Sequence, residues 1–139
     1  MAFLQWEEQL DVHVDGMNQE HTELIRLMNK VHDASSAGAG HALVARAVDE
    51  LVKYTQKHFR DEEAYMASIG FGGLKSHQLI HRDLLSRVGG FAQEFKAARA
   101  ERLPDDFFRF LRVWLVSHIQ AVDTKYGVAG ASAPQRLAR

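Results

Sequence analysis

The chain has no cysteine. That absence excludes disulfides, thiolate zinc sites and cysteine-ligated iron–sulfur clusters together. It also lacks a charge excess: 17 basic residues face 18 acidic ones, with no basic stripe, so nucleic acid is not expected as a partner. No apolar run approaches the roughly 20 residues that span a bilayer, so no membrane span is expected. The first residues, MAFLQWEEQLDVHVDG, carry acids early and no basic-then-apolar leader; the expectation is a cytoplasmic protein. Strand-like alternation, internal repeats and a second domain are missing as well. With 139 residues the chain suits one domain able to bury its own core.

What is present is histidine, eight in all. The stretch from His58 to His81 reads HFRDEEAYMASIGFGGLKSHQLIH. His58 and Glu62 are four apart, as are His77 and His81, so each pair lies on one helix face. The glycines between them allow two helices to fold back antiparallel.

Apolar seams alternating steps of four and three predict four helices. The first seam is Met17, His21, Leu24, Met28 and Val31, with Asn18 as a candidate cap and SSAGAG at 35–40 as its end. The second, over about 41–68, runs Val44, Val48, Leu51, Thr55, His58, Glu62 and Tyr65. The third, over about 76–100, runs His77, His81, Leu84, Val88, Phe91 and Phe95, with Ser76 as a candidate cap. Gly89 and Gly90 inside it either allow close helix approach or weaken the helix. The fourth starts near Leu103-Pro104-Asp105 and runs Phe108, Leu111, Leu115, His118 and Val122. Short connections make this an all-α, antiparallel up-down-up-down four-helix bundle over residues 1–126, including an N-terminal arm with Trp6 packed onto it. A flexible tail is expected over residues 127–139.

His21, His58, Glu62, His77, His81 and His118 all take core-facing seam positions, and strict up-down alternation gathers them at one end of the bundle. Burying so many polar groups without partners would cost a few kcal/mol each, more than a domain tolerates. A bound metal removes that penalty by taking the lone pairs. Asp123, five residues after His118, points about 140° away on a regular helix; spacing leaves it evenly balanced between solvent and the site, which it reaches if the helix bulges. Five imidazoles with one or two carboxylates exceed what one zinc takes and suit two first-row metals. Ligand type favours iron and leaves manganese and zinc open. The Glu-x-x-His pattern of ferritin-like di-iron proteins is missing, as is His-Glu-x-x-His.

QEH at 19–21, HFRDEEAYM at 58–66, HQLIH at 77–81 and WLVSHIQAVD at 114–123, with the arm containing Trp6, resemble the hemerythrin family, specifically its single-domain bacteriohemerythrins, over residues 3–126. The resemblance implies two iron ions in a non-heme, oxo- or hydroxo-bridged centre that binds O2 reversibly. It implies one iron on His77, His81 and His118, the other on His21 and His58, and Glu62 and Asp123 bridging them; Asp123 enters on this ground alone. The second iron keeps an open position for O2, with Leu24, Phe59, Trp114, Leu115 and Ile119 lining the pocket. Asn18 departs from the family's more frequent aspartate, with an expected effect on the helix start or on hydrogen bonds around the site. His13, His32 and His41 fall off the seams and are expected at the surface, and Glu63, one position off, in solvent. The function expected is carriage, storage or delivery of O2 to an oxygen-using enzyme, not enzymatic turnover. The alternatives are O2 or redox sensing through a separate signalling partner, and a di-iron peroxidase or nitric-oxide-handling enzyme.

Overall fold

The computed structural model describes residues 3–131. Its long helices are α1 (Asp15–Ser36), α2 (His41–Ser68), α3 (Leu74–Ala98) and α4 (Asp105–His118), followed by a π-helical turn at Ile119–Asp123 and α5 (Thr124–Ala131). No strand occurs among the described residues. The ring pairs set the directions. Early His21 of α1 meets Asp123 after α4, and late His32 of α1 meets early Phe108 of α4, so these two helices are antiparallel. His81 against His118 and Phe91 against Phe107 give the same relation between α3 and α4. The up-down-up-down bundle is what the seams predict.

Each seam buries most of its apolar members, with Tyr65, Leu84 and Phe91 only partly covered. Met28, Val31, Val44, Val48, Leu51, Phe107 and Leu111 are essentially inaccessible and fill the end of the bundle away from the histidines. The edge-to-face pair Phe91–Phe107 joins α3 to α4 there, and Phe107–Phe108 packs edge to face within α4.

The α2–α3 hairpin turns on Gly70. Its φ of +66° is the left-handed conformation that ends helices, and Phe71 N–H to Met66 O (2.9 Å) with Gly70 N–H to Ala67 O (3.2 Å) satisfies the last carbonyls. Helix α3 then begins at Leu74 with Gly73, not Ser76, at the cap position; Ser76 lies in the first turn.

The arm differs from its expected form. Helix α1 starts at Asp15, so Asn18 sits within it and caps nothing. Its Oδ1 accepts the Val12 N–H (3.0 Å) and its Nδ2 donates to Asp11 Oδ1 (2.7 Å). The second bond needs an amide: an aspartate in its place would set two carboxylates together. Asn29 grips Leu4 the same way, through both its N–H and its carbonyl. Leu4, Leu10 and Val12 are the buried arm residues, whereas Trp6 is 37% exposed; the packing expected of Trp6 falls to these smaller neighbours.

The boundary expected after Tyr126 falls inside a helix, since α5 continues to Ala131. The rest of the expected tail, 132–139, lies outside the described residues, as does the Val122 side chain of the fourth seam. Small residues here are a packing device. A β-carbon on Gly127 would run into the Val12 carbonyl, and one on Gly130 into the Tyr65 hydroxyl. Gly89 and Gly90 have no such neighbour within 4 Å, so close approach does not explain them. Alanine at Gly90 is therefore expected to stabilise the fold by about 0.5–1 kcal/mol, and alanine at Gly127 to destabilise it by about 1–3 kcal/mol. Thermal melts of the two variants should move in opposite directions.

Candidate metal centre

All seven side chains marked in the sequence converge in the histidine-bearing end. Glu62 and Asp123 are fully buried, and His21, His58, His77, His81 and His118 are at most 7% exposed. Two donor groups form, one of Glu62, His77, His81 and His118, the other of His21, His58 and Glu62, each with its ligand atoms within 4.8 Å of one another. Glu62 belongs to both.

The carboxylate oxygens divide between the groups. Glu62 Oε1 lies 3.0 Å from His81 Nε2 and 3.8 Å from His77 Nε2, while Oε2 lies 3.1 Å from His21 Nε2 and 3.3 Å from His58 Nε2. Asp123 repeats the division: Oδ1 is 2.9 Å from His118 Nε2 and 3.0 Å from His77 Nε2, and Oδ2 is 3.1 Å from His21 Nε2. Asp123 reaches this position through the π-helical turn, which inserts extra residues between His118 and itself and cancels the angular error of a regular helix.

His21 Nε2 and Glu62 Oε2 are hydrogen-bonded, but most of the other close approaches are not hydrogen bonds. Glu62 Oε1, both Asp123 oxygens and the Nε2 atoms of His77, His81 and His118 are buried with no hydrogen-bond partner. A set of imidazole and carboxylate donors, dry, close and unsatisfied, fits a cation and suits first-row metals by its nitrogen and oxygen chemistry.

Two further carboxylates hold imidazoles from behind. Glu20 Oε1 is 2.7 Å from His58 Nδ1, and Glu63 Oε2 is 2.8 Å from His81 Nδ1, while Glu63 Oε1 accepts from Gln78. Glu63 is thus half-buried at a helix interface, not in solvent as expected. A carboxylate on Nδ1 fixes the proton there and turns the Nε2 lone pair inward. Tyr126, completely buried, donates its hydroxyl to Glu62 Oε2 at 2.7 Å. The signal for Glu20 and Glu63 was available: a core-facing helix stripe is wider than its seam, and each is adjacent in sequence to a seam ligand. Alanine at Glu63 should weaken metal binding about 10–100-fold, read by competition against a chelator, with the helical content unchanged.

Electrostatics follows the geometry. Burial opposes charging His58, but the Glu62 carboxylate and the bonds to Glu20 and Glu62 outweigh it and hold its imidazolium up to about 10. Burial likewise opposes charge on His21, which Asp123 and Glu62 nevertheless push above the usual range. Burial and, for Asp123, the Glu62 charge push the two carboxylates up, yet the surrounding imidazoles win. Glu62 ends well below the usual carboxylate range and Asp123 falls to about 2.

Beside the cluster lies a narrow cavity with no room for a water molecule. Leu24, Phe59, Trp114, Leu115 and Ile119 line it together with His21, His58, His118 and Asp123, so all five apolar positions named from the sequence meet there. Phe59 stacks on His81, ring centres 3.7 Å apart. The three off-seam histidines part company. His13 is exposed, but His32 is half-buried and stacks on Phe3, and His41 stacks on Phe95 with Nδ1 2.6 Å from the Ala100 carbonyl. The latter two are structural, not surface, residues.

Fold and site define a four-helix-bundle protein whose histidines and carboxylates form a cation site. The hemerythrin HHE cation binding domain model matches residues 12–127, and the chain belongs to the hemerythrin family. It is 32% identical to the bacteriohemerythrin of Pseudomonas aeruginosa (strain LESB58) over 126 residues, covering 91% of this chain and 80% of that one. It is 31% identical to the myohemerythrin of Riftia pachyptila over 121 residues, 87% of this chain and 88% of that one. The crystal structure of a wild-type hemerythrin superposes with a TM-score of 0.84 at 29% identity, covering 92% of this chain and 98% of that one.

Proposed function

We propose that the two donor groups hold two iron ions and that the protein binds O2 reversibly, for carriage, storage or delivery. One observation carries the reading: two buried carboxylates each direct one oxygen to a group of three histidines and the other to a group of two, with a small apolar cavity alongside. His77, His81 and His118 would hold one ion, His21 and His58 the other, and Glu62 and Asp123 would bridge them. The unequal count of histidines would leave an ion on His21 and His58 with room for a ligand. Bound there, a ferrous pair supplies the two electrons on which reversible O2 binding draws.

The remaining work belongs to the chain. Glu20 and Glu63 orient imidazoles, Tyr126 holds one Glu62 oxygen, and Leu24, Phe59, Leu115 and Ile119 keep the cavity dry. A dry cavity favours a binder over an enzyme, because loss of reduced oxygen to water is slowed. Asparagine at Leu115, close in size but polar, is expected to speed autoxidation; an unchanged rate would remove Leu115 from the pocket.

The reading is tested by the visible spectrum of anaerobically reduced, iron-loaded protein. A charge-transfer band that appears with O2 and vanishes on its removal supports reversible binding. Immediate conversion to the ferric form with no persistent oxygenated species would overturn carriage and favour sensing or turnover.

A further inference from the structure

A second cavity opens on the outer surface between α3 and α4. It is a groove of about 630 Å³, within the range of small-molecule sites, with much more apolar than polar lining. Its floor is Leu84, Phe110 and Trp114, the two rings stacked with centres 6.4 Å apart, and its walls carry Ile80 and Val113, 36% and 59% exposed.

The groove is polarised. Since α3 and α4 are antiparallel, with His81 opposite His118 and Phe91 opposite Phe107, its lining sorts by position along the bundle. Ile80, Ser117 and His118 lie at one end, and Arg87, Arg109 and Asp106 at the other. About two helical turns, roughly 10 Å, separate Ile80 from Arg87. Each guanidinium meets one carboxylate of its own helix: Arg87 uses Nε toward Asp83 (3.0 Å), and Arg109 uses Nη1 toward Asp106 (3.1 Å). Both Nη groups of Arg87 and Nη2 of Arg109 remain for a planar anion, which a guanidinium fork matches better than an ammonium would.

We propose that this groove binds an amphipathic carboxylate of the medium-chain fatty-acid class, its head between Arg87 and Arg109 and its chain running over Phe110 to Trp114. The site is separate from the histidine cluster but adjoins it. Trp114 and His118 line both the groove and the inner cavity, and the buried Trp114 Nε1 has no hydrogen-bond partner. A chain seated on the indole is therefore sensed at the wall of the inner cavity, whatever metal the cluster holds.

The test is a titration with decanoate followed by Trp114 emission in a Trp6→Phe background, metal-free and iron-loaded; Trp6 is the other tryptophan of the chain and lies exposed on the arm. A saturable one-site change is expected. The double variant Arg87→Gln, Arg109→Gln should weaken binding about ten-fold, since charged hydrogen bonds are lost, and 1-decanol should bind as poorly as that variant binds decanoate. Val113→Glu should abolish binding while circular dichroism and the melting temperature hold, because that side chain faces out. Non-saturable change, or equal affinity for decanoate in the wild type and the arginine variant, overturns the proposal. So does a wild-type chain that self-associates in sedimentation velocity and is dispersed by Val113→Glu, which would assign the face to a second copy.

Discussion

Replacing Glu62 by glutamine is expected to abolish the paired metal loading proposed above, so that iron per chain does not exceed one. Volume is nearly kept, so the effect isolates charge and lone pairs. Glu62 alone appears in both donor groups, and it meets four imidazoles and a phenol. An amide offers one oxygen where the carboxylate offers two, so it serves one group and confronts the other with an N–H. The metal-free protein should suffer too. His58 is held charged chiefly against Glu62, and breaking a buried pair by removing one partner costs about 3–5 kcal/mol. Some of this is recovered when His58 gives up its proton. Iron content by colorimetric assay and the melting temperature of chelated protein measure the two parts. A glutamine variant that still takes two irons with unaltered affinity would sink the bridging role; a Glu63→Ala variant, which among the cluster histidines touches only His81, separates bridging from mere orientation.

The parts legible in the sequence are those that a helical period controls. His21, His58, His77, His81 and His118 stand where leucine would, and the bundle's alternation brings them to one end without further information. Asp123 shows where the period stops helping. Five residues after His118 is a misplacement on any regular helix, and only the π-helical turn at Ile119–Asp123 repairs it. No residue in IQAVD announces that turn; the family resemblance supplied Asp123 where spacing did not. The glycines misled for a related reason. GVAG after Tyr126 has no period and reads as a tail, but its smallness lets α5 pass close to the Val12 carbonyl and the Tyr65 hydroxyl, contacts that depend on the whole fold. Gly89 and Gly90, placed inside a strong seam, have no such contact. Glu20 and Glu63 were hidden by reading seams as single files. The Nδ1 atoms of His58 and His81 emerge toward the flanks of the stripe, where a carboxylate one position off the seam of the neighbouring helix meets them.

The stabilisation that metal confers should grow as pH rises from about 6 to 9, by about 1.4 kcal/mol per unit for each proton displaced. The metal-free protein sets the sign. His58 is raised to about 10 in the folded state, so its contribution is complete below the unfolded value near 6.5 and is lost as pH climbs toward 10. Glu62 and Asp123 are lowered, so theirs is complete above about 4 and is lost as pH falls, for Asp123 toward about 2. Without metal the chain is therefore most stable between about pH 4 and 6.5, and weakens on either side. Metal reverses the upper limb. A metal ion takes the Nε2 lone pair of neutral imidazole, so loading at neutral pH must expel the His58 proton, and each unit of pH makes that easier. Metal at about 1,000 times its dissociation constant stabilises by about 4 kcal/mol per site, enough to outweigh the fading His58–Glu62 attraction. Melting temperatures of loaded and chelated protein, taken at intervals from pH 6 to 9, should diverge by about 3–5 °C per unit for one proton. Calorimetric titration at pH 7 in buffers of different ionisation heat should register proton release on loading. A gap that stays flat or narrows with pH would mean that the metal binds elsewhere, because no ion seated among these imidazoles can avoid competing with their protons.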